Sequence, residues 1–389
     1  MTLPEIRGSF PALGSGYAFM ENAGGSQLPE VVIEAAARYL RESFVQVGAP
    51  YRHSERATNT LLQSHLFAKE LLGSGPGDSA ILGPSTSVLC KHLADAYALQ
   101  LNPGDEIVVS QAGHEANIGP WMRLERRGFT IKKWMPDGPE NPCPLESLKA
   151  LLTERTRLVT FAHTSNLLGD VADVVSITRM AHDAGARVVV DGVAYAPHRP
   201  LETASWGVDW YVFSAYKVYA PHLAVLHGRR DAVDELHEGP NHFFLQRDPV
   251  MRFELGGVNH ESAAGLAALR GYLEMFGGVR QAFERFASLE APLIERVLDV
   301  FASSKKVRLV GPRTTRVPTF SFTCDVDYET LCRRLDERGI GVRYGHMYSY
   351  RLCEALGIDP ARGVMRASLV HYNSAEEVAR LSAALDELL

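Results

Sequence analysis

Arg187-Val-Val-Val-Asp191 and, downstream of it, Trp210-Tyr-Val-Phe-Ser-Ala-Tyr-Lys217 are β-branched and aromatic runs that each end on a charged residue. Strands that are apolar throughout, rather than alternating, are buried on both faces, as in a parallel sheet covered by helices. The stretch between Asp191 and Lys217 leaves room for one crossover between neighbouring strands. Short runs of the same kind recur outward from this pair, at 79–82, 106–110, 157–161 and 224–227, with helical patterns between them. The alternation predicts an α/β fold with a mostly parallel sheet.

The flanks read differently. Pro29 opens a helical pattern, and a second runs from Thr58 to Leu72. Beyond about residue 260 one long helical stretch is predicted from Ala263 to about Phe301. Short strands at 308–310 and 319–323, a helix over 328–338, and strands around 341–343 and 365–369 follow it. Ser374 and Glu377 form a capping box for a last helix. The expected organisation is a large domain over 17–258 and a smaller α+β domain from 1–16 and 259–389. Gly73-Ser-Gly-Pro-Gly77 reads as a turn.

At 389 residues the chain is too long for one compact core, and 46% hydrophobic with 22% charged residues is the balance of an ordinary globular protein. A net charge of -6 offers no general basic surface for nucleic acid. Met1-Thr-Leu-Pro-Glu-Ile-Arg7 lacks the charged-then-apolar pattern of a signal peptide, and no stretch has the ~18 apolar residues of a membrane span. A cytoplasmic protein without membrane contact is expected. The five cysteines, at 90, 143, 324, 332 and 353, form no CxxC and indicate neither a disulfide framework nor a metal site.

In open parallel sheets, ligands bind at the carboxyl ends of the strands. Five predicted strands deliver polar groups there. The first leads into Gly83-Pro-Ser-Thr86 and a helix start, a cradle for phosphate. His114 follows the second, Asn166 the third, Asp191 ends the fourth, and Ser214 and Lys217 come from the fifth. An amine able to form a Schiff base and a carboxylate able to hold a pyridine nitrogen protonated are what a pyridoxal 5'-phosphate enzyme requires. Each residue also has a plainer reading: Ser85 and Thr86 as helix caps, His114 as a structural loop histidine, Asn166 as a turn residue, Asp191 as an arginine partner, Lys217 as a solvated lysine. Their conjunction favours the cofactor site.

Seven segments then stand in an order that is similar to a known family. They are Met20-Glu-Asn-Ala-Gly-Gly-Ser-Gln27, Gly104-Asp-Glu-Ile-Val-Val-Ser-Gln111, His114-Glu-Ala-Asn-Ile-Gly-Pro-Trp121, Thr164-Ser-Asn-Leu-Leu-Gly169, Tyr195-Ala-Pro-His-Arg-Pro200, Ser214-Ala-Tyr-Lys-Val-Tyr-Ala-Pro-His222 and Arg366-Ala-Ser-Leu-Val-His-Tyr-Asn373. Over nearly its whole length the chain resembles the class V aminotransferase-fold enzymes of the cysteine desulfurase and selenocysteine lyase group. The resemblance implies the pyridoxal phosphate-dependent transferase fold, with Lys217 as the Schiff-base lysine, Asp191 on the pyridine nitrogen and His114 stacked on the ring. It further implies Val193 near the other ring face, Asn166 on the ring hydroxyl or substrate, and Ser85, Thr86 and Ser214 on the phosphate. Arg366 would clamp the substrate carboxylate, and a homodimer with sites at the subunit interface is implied.

The departures bear on the reaction. In Arg343-Tyr-Gly-His-Met-Tyr348 a tyrosine stands where cysteine desulfurases place their sulfur-accepting cysteine, with Cys353 the nearest substitute. Ala194 replaces a polar residue near the ring hydroxyl, Tyr216 replaces a histidine before the lysine, and Gly257 replaces a threonine lent to the partner's phosphate, with Asn259 or His260 able to compensate. Tyr348 and His346 are candidate substrate contacts, as are Tyr51, Arg52, His53 and Tyr344. The expectation is an enzyme acting on an amino acid or cysteine conjugate, first as a C–S β-elimination lyase without persulfide chemistry. An aminotransferase or an epimerase resembling isopenicillin N epimerase is the second reading, and a noncatalytic scaffold of the same fold the third.

Overall fold

A computed structural model describes residues 1–389. Its large sheet has seven strands: β1 (Ser79–Gly83), β2 (Glu106–Ser110), β3 (Thr130–Trp134), β4 (Thr156–Ala162), β5 (Arg187–Asp191), β6 (Trp210–Ser214) and β7 (Ala224–Gly228), in the order β1-β7-β6-β5-β4-β2-β3. All neighbours are parallel except β7, which runs antiparallel to both β1 and β6. The strands β1, β2, β6 and β7 are buried along their whole length, because helices cover both faces. The predicted α/β fold is therefore present.

Register sets the edge on which the chemistry lies. Ala162 pairs with Asp191 and Asp191 with Val212, while Gly83 and Ser214 both pair with Ala224. The antiparallel β7 thus aligns the end of β1 with the end of β6, and the ends of β4 and β5 lie beside them.

β3 escaped the sequence reading. It is an edge strand, Thr130-Ile-Lys-Lys-Trp134, only partly buried and carrying two lysines, so it lacks the apolar run of its neighbours. Lysines on an edge guard it against pairing with another chain. The long helix expected from Ala263 to Phe301 is two helices, His260–Glu274 and Val279–Ser303. Gly277 and Gly278 between them take φ values of 100° and 110°, which side chains resist. The helix expected from Thr58 begins at Arg52. The capping box of the last helix, Ala375–Leu388, is formed by Ser374 and Glu377 in both directions.

A second sheet of four antiparallel strands comes from the C-terminal part: β8 (Arg308–Val310), β9 (Thr319–Thr323), β10 (Arg343–Gly345) and β11 (Val364–Ser368), ordered β10-β11-β9-β8. Phe320, Phe322, Met365 and Ala367 pack there against Val297, Phe301 and Leu381 of the covering helices. Ala18 and Met20 belong to this small cluster, and Ala18–Phe19 pairs with Ile340–Gly341. Ile6, Phe10 and Leu13, by contrast, pack with the large sheet, as do Leu266 and Leu269 of His260–Glu274. The partition at residues 17 and 258 remains a proposal about folding units. No helix is long and apolar enough to cross a membrane.

Candidate active site

Four loops leaving the large sheet, after β1, β2, β4 and β5, converge with the end of β6 on one cleft. Its walls include Ser85, Thr86, His114, Asn166, Asp191, Val193, Ser214 and Lys217, so every residue expected to hold the cofactor lies on one cavity.

Lys217 ends the short turn Ala215–Lys217 that β6 leads into, and it is only 7% exposed. Tyr219, two residues on, is held at φ 60°, a strained value for a bulky residue. Ser26 fixes it by accepting the Tyr219 N–H, and the Tyr219 hydroxyl donates to Pro197 O. Burial, with Arg366 adding to it, lowers the lysine pKa to about 8 against the opposing pull of Asp191 and Glu21. An amine so placed is neutral enough near physiological pH to act as nucleophile or base.

Asp191 is 5% exposed and accepts the Val193 N–H at 3.0 Å. Burial raises its pKa to about 6, with the Val193 N–H and Lys217 opposing. Such a carboxyl lacks a strong cationic partner and would gain one from a pyridinium. His114 caps helix Glu115–Met122, its Nδ1 accepting the Ala116 N–H, which leaves the ring proton on Nε2. Burial first, then Lys217 and Arg366, lowers its pKa to about 4, so the ring is neutral and suited to stacking.

At the other end of the cleft, Ser85 caps helix Thr86–Gln100 and Thr86 Oγ1 meets Ser214 Oγ at 2.7 Å. The first N–H groups of that helix have no intrahelical acceptor, so capping and phosphate binding coexist here. Thr164, missed in the sequence, lines the same cleft with a buried hydroxyl that has no partner. It stands two residues before Asn166 on the loop after β4. An unpartnered buried hydroxyl, a neutral imidazole, a lone buried carboxyl, a helix start and an amine form a donor set that fits pyridoxal phosphate.

Asn166 is also engaged within the chain. Its Nδ2 donates to Met347 O at 2.9 Å and its Oδ1 accepts from Ser349 Oγ at 2.8 Å, while its backbone carbonyl accepts from Arg366. One side chain thereby fixes the loop between β10 and the next helix. That loop holds Gly345, Met347 and Tyr348 at positive φ, and the Glu115 N–H donates to Tyr348 O at 2.9 Å. Tyr348 is 61% exposed and its ring lies 5.1 Å from that of His114, at the cleft mouth rather than inside it. His346 accepts the Tyr348 N–H through Nδ1 and shapes the loop.

Arg366, on β11, is 2% exposed and does not line the cleft. Burial lowers its pKa to about 10. Tyr51, Arg52 and His53 are exposed at the start of their helix and do not line the cleft. Ala194 and Tyr216 line it, whereas Gly257 lies on a separate groove with Val258 and Asn259. Asn259 caps the following helix and His260 meets the Tyr39 hydroxyl, so both are engaged within the chain.

Comparison with known proteins agrees with this arrangement. The family model for aminotransferase class-V matches residues 18–381. An aminotransferase-like protein, FGM3, of Gibberella zeae is 36% identical, the alignment covering 100% of this chain and 98% of that protein. A probable cysteine desulfurase of Mycolicibacterium paratuberculosis is 31% identical over 96% of this chain, and the chain spans 56% of that relative's length. The crystal structure of the cysteine desulfurase CsdA from Escherichia coli superposes with a TM-score of 0.87 at 25% identity, covering 100% of this chain and 99% of that one. Members of this family use pyridoxal phosphate, and this chain is an enzyme of the same kind. With the match running through both sheets and the strand-end groups gathered on one cleft, the chain belongs to the class V aminotransferase family.

Proposed function

We propose that the protein is a pyridoxal phosphate-dependent lyase acting at Cα and Cβ of an amino acid or cysteine conjugate, eliminating a sulfur leaving group without carrying persulfide. The observation that supports this most is the state of the thiols. None of the five cysteines lines the cleft, and burial raises the pKa of every one. Cys353, the one candidate substitute, is fully buried beside Leu352 with its pKa raised to about 11. The thiolate is the nucleophile in sulfur transfer, and such thiols are inert.

Bound pyridoxal phosphate supplies an electron sink that makes the substrate Cα–H acidic. Asp191 would hold the ring nitrogen protonated, His114 would stack on the ring, and Ser85, Thr86 and Ser214 with the helix start would hold the phosphate. Val193 packs toward the other face. Lys217 would hold the cofactor through its amine and, once displaced by the substrate amine, its neutral Nζ would be placed to take the Cα proton. The C–S electron pair leaves with sulfur, and no protein thiol is needed. Arg366, behind the cleft wall and bonded to the carbonyl of the lining residue Asn166, would orient the substrate through its carboxylate once its free edge is reached. We further propose a cytoplasmic homodimer; exposed Phe44, Phe243, Phe244 and Leu255 supply apolar surface for the partner copy.

The test is a panel of amino acids and cysteine conjugates assayed for pyruvate, ammonia, thiol and racemised product. Pyruvate and free thiol in equal amounts are expected. Conversion of an added keto acid to its amino acid would replace this reading with transamination, and racemised substrate alone would replace it with epimerisation.

A further inference from the structure

Arg366 is buried, yet its guanidinium is not fully partnered. One amino group donates to Asn166 O at 2.9 Å, the other donates to Glu21 Oε1 at 3.1 Å, and Nε has no acceptor. A carboxylate held bidentately along the Nε edge needs Nε and its neighbouring amino group together. Glu21 already stands on such an edge while Nε waits.

Glu21 comes from the opposite end of the chain and is 31% exposed at its side chain. Its Oε1 also lies 3.5 Å from Nη1 of Arg343, a residue half open to solvent. Arg343 and Arg366 are direct cross-strand partners on β10 and β11, where two like charges repel. The carboxylate therefore bridges one buried and one exposed arginine. The space it fills is kept open by Gly24, where a Cβ would lie 2.0 Å from Glu21 Oε1.

Resting on the assignment of Arg366 to the substrate carboxylate, we propose that Glu21 is a displaceable stand-in for that carboxylate. With no substrate it sits on Arg366. When an amino acid arrives, its carboxylate takes the Nε edge and Glu21 moves outward onto Arg343, which keeps it paired. Glu21 is thus a positioning residue that sets how tightly a carboxylate must compete. It selects for substrates with an unencumbered carboxylate and against those whose acid is amidated or esterified.

The test uses the protein loaded with pyridoxal phosphate and sodium propionate, a carboxylate without an amine, in calorimetric titrations. Glu21→Gln is expected to bind propionate roughly tenfold tighter than the wild type, since a charge-assisted bond no longer competes. Gly24→Ala, which puts a methyl where the carboxylate sits, is expected to tighten binding while leaving the charge in the chain. Arg343→Gln is expected to weaken it by removing the landing place. Binding to Glu21→Gln that is no tighter than to the wild type, detectable or not, overturns the proposal. Arg366→Lys separates the two ideas. Lost binding there with unchanged affinity in Glu21→Gln retains the carboxylate assignment and rejects the stand-in, whereas unchanged binding in Arg366→Lys rejects both. Retention of the visible cofactor band reports that each variant is folded.

Discussion

Lys217 sits in surroundings that no local stretch of sequence contains. Its low pKa comes from burial and from an arginine on another sheet. In protein freed of cofactor, the rate of pyridoxal phosphate capture should rise with pH around a midpoint near 8, because only the neutral amine attacks the aldehyde. Stopped-flow absorbance would show it, and a midpoint near the ordinary lysine value would refute the assignment. Lys217→Ala should show no lysine-bound absorbance band and no turnover, checked by spectrum and product assay. The residues expected to hold the cofactor share one cleft, and they were legible in the sequence because each lies at or just past the end of an apolar run. Glu21 was not, since its meaning rests on Arg366, 345 positions away. Asn166 was legible as a cleft residue, but its bonds to Met347 and Ser349 were not, because those partners lie on a distant loop.

Among elements, the strands with uniform burial announced themselves and the edge strand β3 did not, since a half-exposed strand carries lysines where its neighbours carry valine. The break between His260–Glu274 and Val279–Ser303 was written in Gly277-Gly278, yet helical periodicity on either side concealed it. The pairing of β10 with β11 depends on another glycine. Gly363 has φ 65°, and a Cβ there would lie 2.1 Å from the carbonyl carbon of Gly345. Gly363→Ala should therefore push β10 away, lowering stability by more than about 2 kcal/mol in denaturant titration. Arg343 would move with the strand. An alanine variant as stable as the wild type would contradict this contact.

At the scale of the molecule, burial of titratable groups sets the response to acid. His114, His163, His227 and His371 are held neutral, with pKa values lowered by burial, while Asp170 and Asp191 are raised to about 6. Unfolding near pH 5 protonates the four histidines and releases protons from the two aspartates. For these six groups the balance is an uptake of about two protons, so their contribution to stability should rise with pH between about 4 and 6, by roughly 1.4 kcal/mol per pH unit for each proton. Melting temperatures of the cofactor-free protein across that range would test it, and a flat profile would contradict the burial of these rings. On the proposed assignment the two sheets also divide the labour: the groups proposed to hold the cofactor stand at the ends of the seven-stranded sheet, and Arg366, proposed for the substrate carboxylate, on the four-stranded one. Damage to the protein should therefore sort into two visible kinds. Variants that loosen the large sheet would be colourless, whereas those that loosen only the small one would stay yellow and fail to recognise an amino acid, so a colony's tint would report which half of the molecule had given way.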